Sequence, residues 1–171
     1  NIEAMPGDTI RYDFSDIRNE SNVPLDNFYW RDILPTDAVT LRSISTGTWN
    51  EELKYTIYYK TNLVSEERVL AERLSTSTNN TIDCSASAVK LKAGEVITEI
   101  RFDFGTVQPG FEPVTNPYIT CLVHPDLPHE YRFKNCTDVG GERGDEWVID
   151  KDCWVTVIYA VPKGKLPKTG N

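Results

Sequence analysis

Four cysteines, two histidines and a short run of acids are the residues of this chain with the most chemistry to offer. Cys84, Cys121, Cys136 and Cys153 form an even set without a C-x-x-C pair, which argues against a zinc site and leaves either four reduced core cysteines or two disulfides. Three pairings are open. The preferred one joins Cys136 to Cys153 and Cys84 to Cys121, the first bond tying the Tyr131 strand to the last strand across Gly140-Gly141. His124 and His129 stand in a Pro-rich stretch, His124-Pro125-Asp126-Leu127-Pro128-His129, that reads as an exposed loop rather than an acid–base pair. Asp145, Glu146, Asp150 and Asp152 surround Trp147, but their spacing fits no EF-hand and reads as a solvated hairpin edge. No G-x-S-x-G, P-loop or H-E-x-x-H motif occurs. The expectation is a protein that is not an enzyme, with no cofactor and no metal site. Tyr29, Trp30, Trp49 and Trp147 remain as binding candidates, because loop aromatics stack on sugars or anchor protein partners.

The elements that must position these groups are strands. Ile10, Tyr12 and Phe14 alternate with Arg11 and Asp13, and Leu53, Tyr55, Ile57 and Tyr59 alternate with Lys54, Thr56 and Lys60. Val96, Thr98, Ile100, Phe102 and Phe104 share a face opposite Glu99, Arg101 and Asp103. Tyr131 with Phe133, and Ile119 with Cys121 and Val123, form shorter sets of the same kind. A period of two is the mark of strands with one wet face. Trp154 to Val161 is apolar on both faces, as in a central strand covered on both sides. Phe28–Arg31, Val39–Ser45 and Glu146–Ile149 are further strand candidates, separated by turn clusters such as Pro109-Gly110 and Gly140-Gly141. Only Ser65 to Leu74 suggests a helix, with Leu70 and Leu74 four apart and Ser65 placed to cap it. Eight or more short strands imply a mainly β, antiparallel sandwich or barrel with one short helix.

The chain has 171 residues, 18 basic and 26 acidic, and a formal charge of −8. One domain is the default at this length. An acidic balance argues against nucleic acid, whose phosphates demand a basic stripe. No run approaches the ~18 apolar residues of a spanning helix. The charge is divided: Pro162–Asn171 contains three lysines and no acid, so the rest holds 15 basic against 26 acidic residues, net −11. Residues 1–161 are therefore read as the folded body and 162–171 as a flexible tether.

Within that tether stands Leu166-Pro167-Lys168-Thr169-Gly170. It matches the L-P-x-T-G sorting pattern in all four fixed positions, and the chain resembles the sortase-anchored surface proteins of Gram-positive bacteria. The resemblance implies a partner's chemistry. A sortase thiolate would attack the Thr169 carbonyl, release Gly170 onward, and pass Thr169 to an amine of peptidoglycan or of a pilin. Pro167 sets a bend, and Gly170 permits close approach of the enzyme. A complete signal would continue into a hydrophobic segment, and the only Met is Met5, so the chain is expected to be a piece of a longer protein. The implied location is extracellular, on the bacterial cell wall, where disulfides persist.

The front of the chain carries a second resemblance. Gly7-Asp8-Thr9-Ile10-Arg11-Tyr12, then Asn19 through Leu25, then Asp32-Ile33-Leu34-Pro35 is similar to the conserved-repeat, Ig-like domain family of bacterial surface proteins, over roughly the first 45 residues. It implies an antiparallel Ig-like β-sandwich serving as a stalk or spacer. Self-made covalent bonds of such proteins have little support. The first strand carries Arg11 where an isopeptide lysine would stand, Trp154 to Val161 contains no Asn, and only Lys90 and Lys92 remain to be considered. The only Gln is Gln108, which leaves a thioester without a clear partner. The reading is a monomeric wall-anchored spacer module; the alternative is an adhesin whose aromatics bind a host protein or glycan.

Overall fold

The computed structural model describes residues 2–160. Thirteen strands follow in order: β1 (Ile2–Ala4), β2 (Thr9–Asp13), β3 (Leu25–Ile33), β4 (Val39–Ser45), β5 (Thr48–Trp49), β6 (Lys54–Thr61) and β7 (Arg68–Ser75). After β8 (Thr81–Asp83) comes the one helix among the described residues, α1 (Ala86–Val89), and then β9 (Ile97–Val107), β10 (Pro113–Thr115), β11 (Tyr118–Val123), β12 (Arg132–Arg143) and β13 (Glu146–Ile158). The large sheet has the order β1-β13-β12-β3-β9-β6-β7, the smaller one β2-β11-β4-β8, and β5 pairs with β10. All pairs are antiparallel except β1 with β13.

The alternation explains how the sheets meet. Ile10 and Tyr12 of β2, Leu41 and Ile44 of β4, and Ile119, Cys121 and Val123 of β11 are buried. So are Phe28 and Trp30 of β3 and Ile100, Phe102 and Phe104 of β9. The two faces join where the buried Tyr12 hydroxyl lies 3.3 Å from Thr156 Oγ1, and where the Phe14 ring packs 4.6 Å from that of Trp30. An aromatic cluster fills one end of the core: Trp49 stacks on Phe111 at 5.2 Å and lies 4.7 Å from Phe104, burying large apolar area with favourable ring geometry. Asn19 anchors the turn that precedes Leu25. It is buried, its amide donates to the Val23 carbonyl, and its oxygen accepts from the Ser21 amide.

Several expectations change. Residues 68–74 of the anticipated helix belong instead to β7, an edge strand paired with β6. A spacing of four fits a strand face as well as a helix face, and β7 is bulged, with Arg73 at φ 54°. Gly140-Gly141 is not a turn but the middle of β12. A Cβ on Gly140 would lie 2.8 Å from the Val148 carbonyl oxygen, and one on Gly141 would lie 2.9 Å from Leu25 Cβ. The glycines are there for close approach; the turn is at Gly144, φ 61°. Trp154 to Ile158 does not run through the centre of the sheet, because β13 has only the three-residue β1 on its far side.

Candidate functional site

The Cys136–Cys153 disulfide is present, joining residues that sit directly opposite in the β12–β13 hairpin. Cys84 and Cys121 are free and buried. The expected second disulfide fails for a topological reason. Cys121 is opposite Leu41, and the Cys84 amide donates to the Arg42 carbonyl, so β4 runs between the two cysteines. Two strand spacings put their backbones about 9–10 Å apart, beyond disulfide reach. Burial pushes the Cys84 thiol up to about 12 and raises that of Cys121 further, with Asp32 adding to the latter.

The four aromatic candidates divide into two classes. Trp30 and Trp49 are core residues, 2% and 5% exposed, and the Trp49 indole donates to the Thr46 carbonyl; neither stands out on the surface. Tyr29 and Trp147 come together on the outer face of the large sheet, rings 6.1 Å apart. Trp147 is 51% exposed and Ile149 47% exposed. Gly140, which pairs with both Tyr29 and Ile149, seats this patch. A Cβ there would come 3.1 Å from Ile149 and 3.2 Å from the Tyr29 ring. Beside it Asp138 accepts from the Tyr29 hydroxyl at 2.6 Å and from the Arg31 guanidinium at 2.8 and 3.0 Å. Partial burial and the Asp138 carboxylate raise the Tyr29 phenol, which keeps its proton. The arrangement is a rigid apolar patch edged by a bidentate ion pair, suited to van der Waals and stacking contact.

The remaining candidates are scattered. His124 Nε2 lies 3.1 Å from the Thr40 hydroxyl, while His129 accepts from the Ala160 amide and stands 3.7 Å from Glu130. Asp145, Glu146, Asp150 and Asp152 lie on the exposed hairpin, and among the described residues no cluster of His, Cys, Asp and Glu is placed to hold a metal. Lys90 and Lys92 are exposed. Leu166, Pro167, Lys168, Thr169 and Gly170 lie outside the described residues.

The core holds a pair that sequence reasoning missed. Asp32 and Asn135 are both fully buried, and Asn135 Nδ2 donates to Asp32 Oδ2 at 2.8 Å. Oδ1 of each has no partner. Burial pushes the Asp32 carboxyl up to about 8, against a smaller opposing effect of the Asn135 hydrogen bond. A neutral acid costs less to bury beside an unpartnered oxygen than a carboxylate does. The alternation on β3 (Phe28, Trp30, Asp32) and β12 (Phe133, Asn135) could have placed both side chains inward. None of the described lysines is buried with the pair.

Comparison of this chain with protein families, curated proteins and solved structures finds no match.

Proposed function

We propose that the chain is a cell-wall-anchored surface module, a β-sandwich spacer of Ig-like type held through Thr169 after a sortase joins it to a peptidoglycan or pilin amine. The observation that carries this reading is Leu166-Pro167-Lys168-Thr169-Gly170, which begins only a few residues after β13 ends at Ile158. A solvent-facing disulfide between Cys136 and Cys153 suits an oxidising exterior. The geometry fits display: the β12–β13 turn and Trp147 stand at the opposite end of β13 from Ile158, about 36 Å away at strand rise. The test is incubation of the chain with a sortase and a glycine nucleophile. The expected product ends at Thr169 joined to glycine; an uncut chain refutes the reading.

The exposed Tyr29–Trp147 patch favours a second reading, an adhesin that binds a host protein or glycan. Binding on a glycan and matrix-protein array that is lost in Trp147→Ala would support it. Binding unchanged by that substitution would count against it.

A further inference from the structure

Among the described residues, nothing pairs with the outward edge of β13 over most of its length. The Ile158 amide donates to Tyr131 on the β12 side, and the Tyr159 amide donates to Ala4 on the other. Odd-numbered residues of β13 therefore aim their backbone groups away from β12. Pairing with β1 covers only Thr156 to Ile158. From Glu146 to Cys153, about 26 Å of strand, no described residue pairs with that edge. The Cys153 amide is capped by Asp152 Oδ1 at 2.8 Å, while those of Trp147, Ile149 and Lys151 have no described partner. Exposed donors and acceptors in a row are a template for another strand.

Both flanks of this edge are chemically distinct. On the core side, two adjoining cavities of about 320 and 200 Å³ run beneath the hairpin and share Arg18, Glu20, Val139 and Asp150. Phe14, Trp30 and Trp154 line the larger one. Of the acids along the groove, Asp13 is held by Arg11. Asp16, Glu20, Asp150 and Asp152 form no ion pair with any described residue. Arg18 and Arg143, also on the groove, are paired with Glu112 and Glu146, and Lys151 is the remaining cation. On the outer side stand Trp147 and Ile149.

We propose that this edge is a docking site for an extended segment of another polypeptide, added as a strand with basic side chains turned into the groove and apolar ones over Trp147 and Ile149. The backbone ladder would supply affinity, and alternate side chains specificity. A second copy of this chain is the wrong occupant, because edge-to-edge pairing would set Asp150 and Asp152 against their own kind. The chain's own basic stretch is also wrong, since Pro162, Gly164, Pro167 and Gly170 make it a poor strand. The site does not depend on how the chain is anchored.

The test uses the full chain and an end-blocked peptide of eight residues alternating Lys with Val, followed by tryptophan fluorescence and by hydrogen exchange. Binding should slow exchange at the Trp147, Ile149 and Lys151 amides. Replacing Lys by Glu in the peptide, or N-methylating the backbone amides that face β13, should each weaken binding at least about tenfold. Lys151→Pro removes an edge donor that β12 does not use and should do the same; the N-methylated peptide gives that reading without altering the protein. Asp150→Asn with Asp152→Asn should flatten the salt dependence. No binding of the Lys/Val peptide at millimolar concentration, binding that survives N-methylation, or equal binding of the Glu/Val peptide would overturn the proposal.

Discussion

Asp32 makes the stability of this protein depend on pH in an unusual direction. In the unfolded chain its carboxyl ionises near 3.8; in the core it holds its proton to about 8. Between those values the folded state binds one proton more than the unfolded state, so stability falls as pH rises. Each pH unit in that window costs about 1.4 kcal/mol, and the full span costs on the order of 5 kcal/mol, comparable with the whole stability of many domains. Below the window the sign reverses for other acids. Thr61, Arg68 and the Lys92 amide hold Glu95 down at about 2, and Arg101 lowers Glu67, so stability from these is lost as pH falls toward 2. Greatest stability is expected near pH 4 to 5. The assay is urea unfolding of the oxidised protein at fixed temperature from pH 5 to 9, beside Asp32→Asn. The amide keeps the shape and can pair with Asn135 but cannot ionise. The wild-type curve should fall steadily to about pH 8 and then level, while the Asp32→Asn curve should stay nearly flat. All other groups are common to both proteins and cancel in the difference. Parallel curves for the two proteins, or a wild type that gains stability from pH 5 to 8, would refute the reasoning.

Other perturbations have equally definite outcomes. Reducing the Cys136–Cys153 bond, which closes a separation of 17 residues, should cost about 3 kcal/mol, read as a lower urea midpoint in reductant. Cys84 and Cys121 should resist a thiol reagent in the native protein and react, both together, only on unfolding; rapid native labelling of either would contradict their burial. Gly47→Ala should destabilise by about 2 kcal/mol or more, because Gly47 has φ 69° and a Cβ would sit 2.3 Å from the Thr115 carbonyl oxygen; a midpoint unchanged from wild type would count against the local geometry.

How far the sequence reveals this molecule depends on the element. Val39–Ser45 is β4 residue for residue, and Ile119, Cys121 and Val123 all point inward as their alternation suggests. The β9 segment shows why alternation alone stops short. Ile97, Ile100, Phe102, Phe104 and Val107 are buried, a set that breaks period two twice. The register shifts beside Thr61 and again at Gly105, φ 73°, and each bulge turns the following side chains back to the core. Bulges leave no strong trace in hydrophobic pattern. The glycines of β12 mislead in another way, since a doublet demanded by close approach looks the same as one demanded by a turn.

Candidate residues follow the same division. Trp30 and Trp49 are indistinguishable from Trp147 by type; only the strand phase of the first and the aromatic neighbours of the second place them inside. The Asp32–Asn135 pair joins residues 103 apart in the chain, and such a meeting depends on which strands become neighbours. The bare edge of β13 is likewise a property of strand order. The Leu166–Gly170 motif behind the proposed anchoring, by contrast, is read from sequence alone, because the proposed chemistry belongs to another protein.

The anchoring claim is tested most directly on the protein recovered from cell walls by a muramidase, with its C-terminal peptide identified by mass spectrometry. The account predicts a chain that ends at Thr169, its carboxyl joined to a cell-wall or pilin amine. Recovery of peptides that run through Thr169-Gly170 uncut, with no Thr169-linked amine, would contradict it.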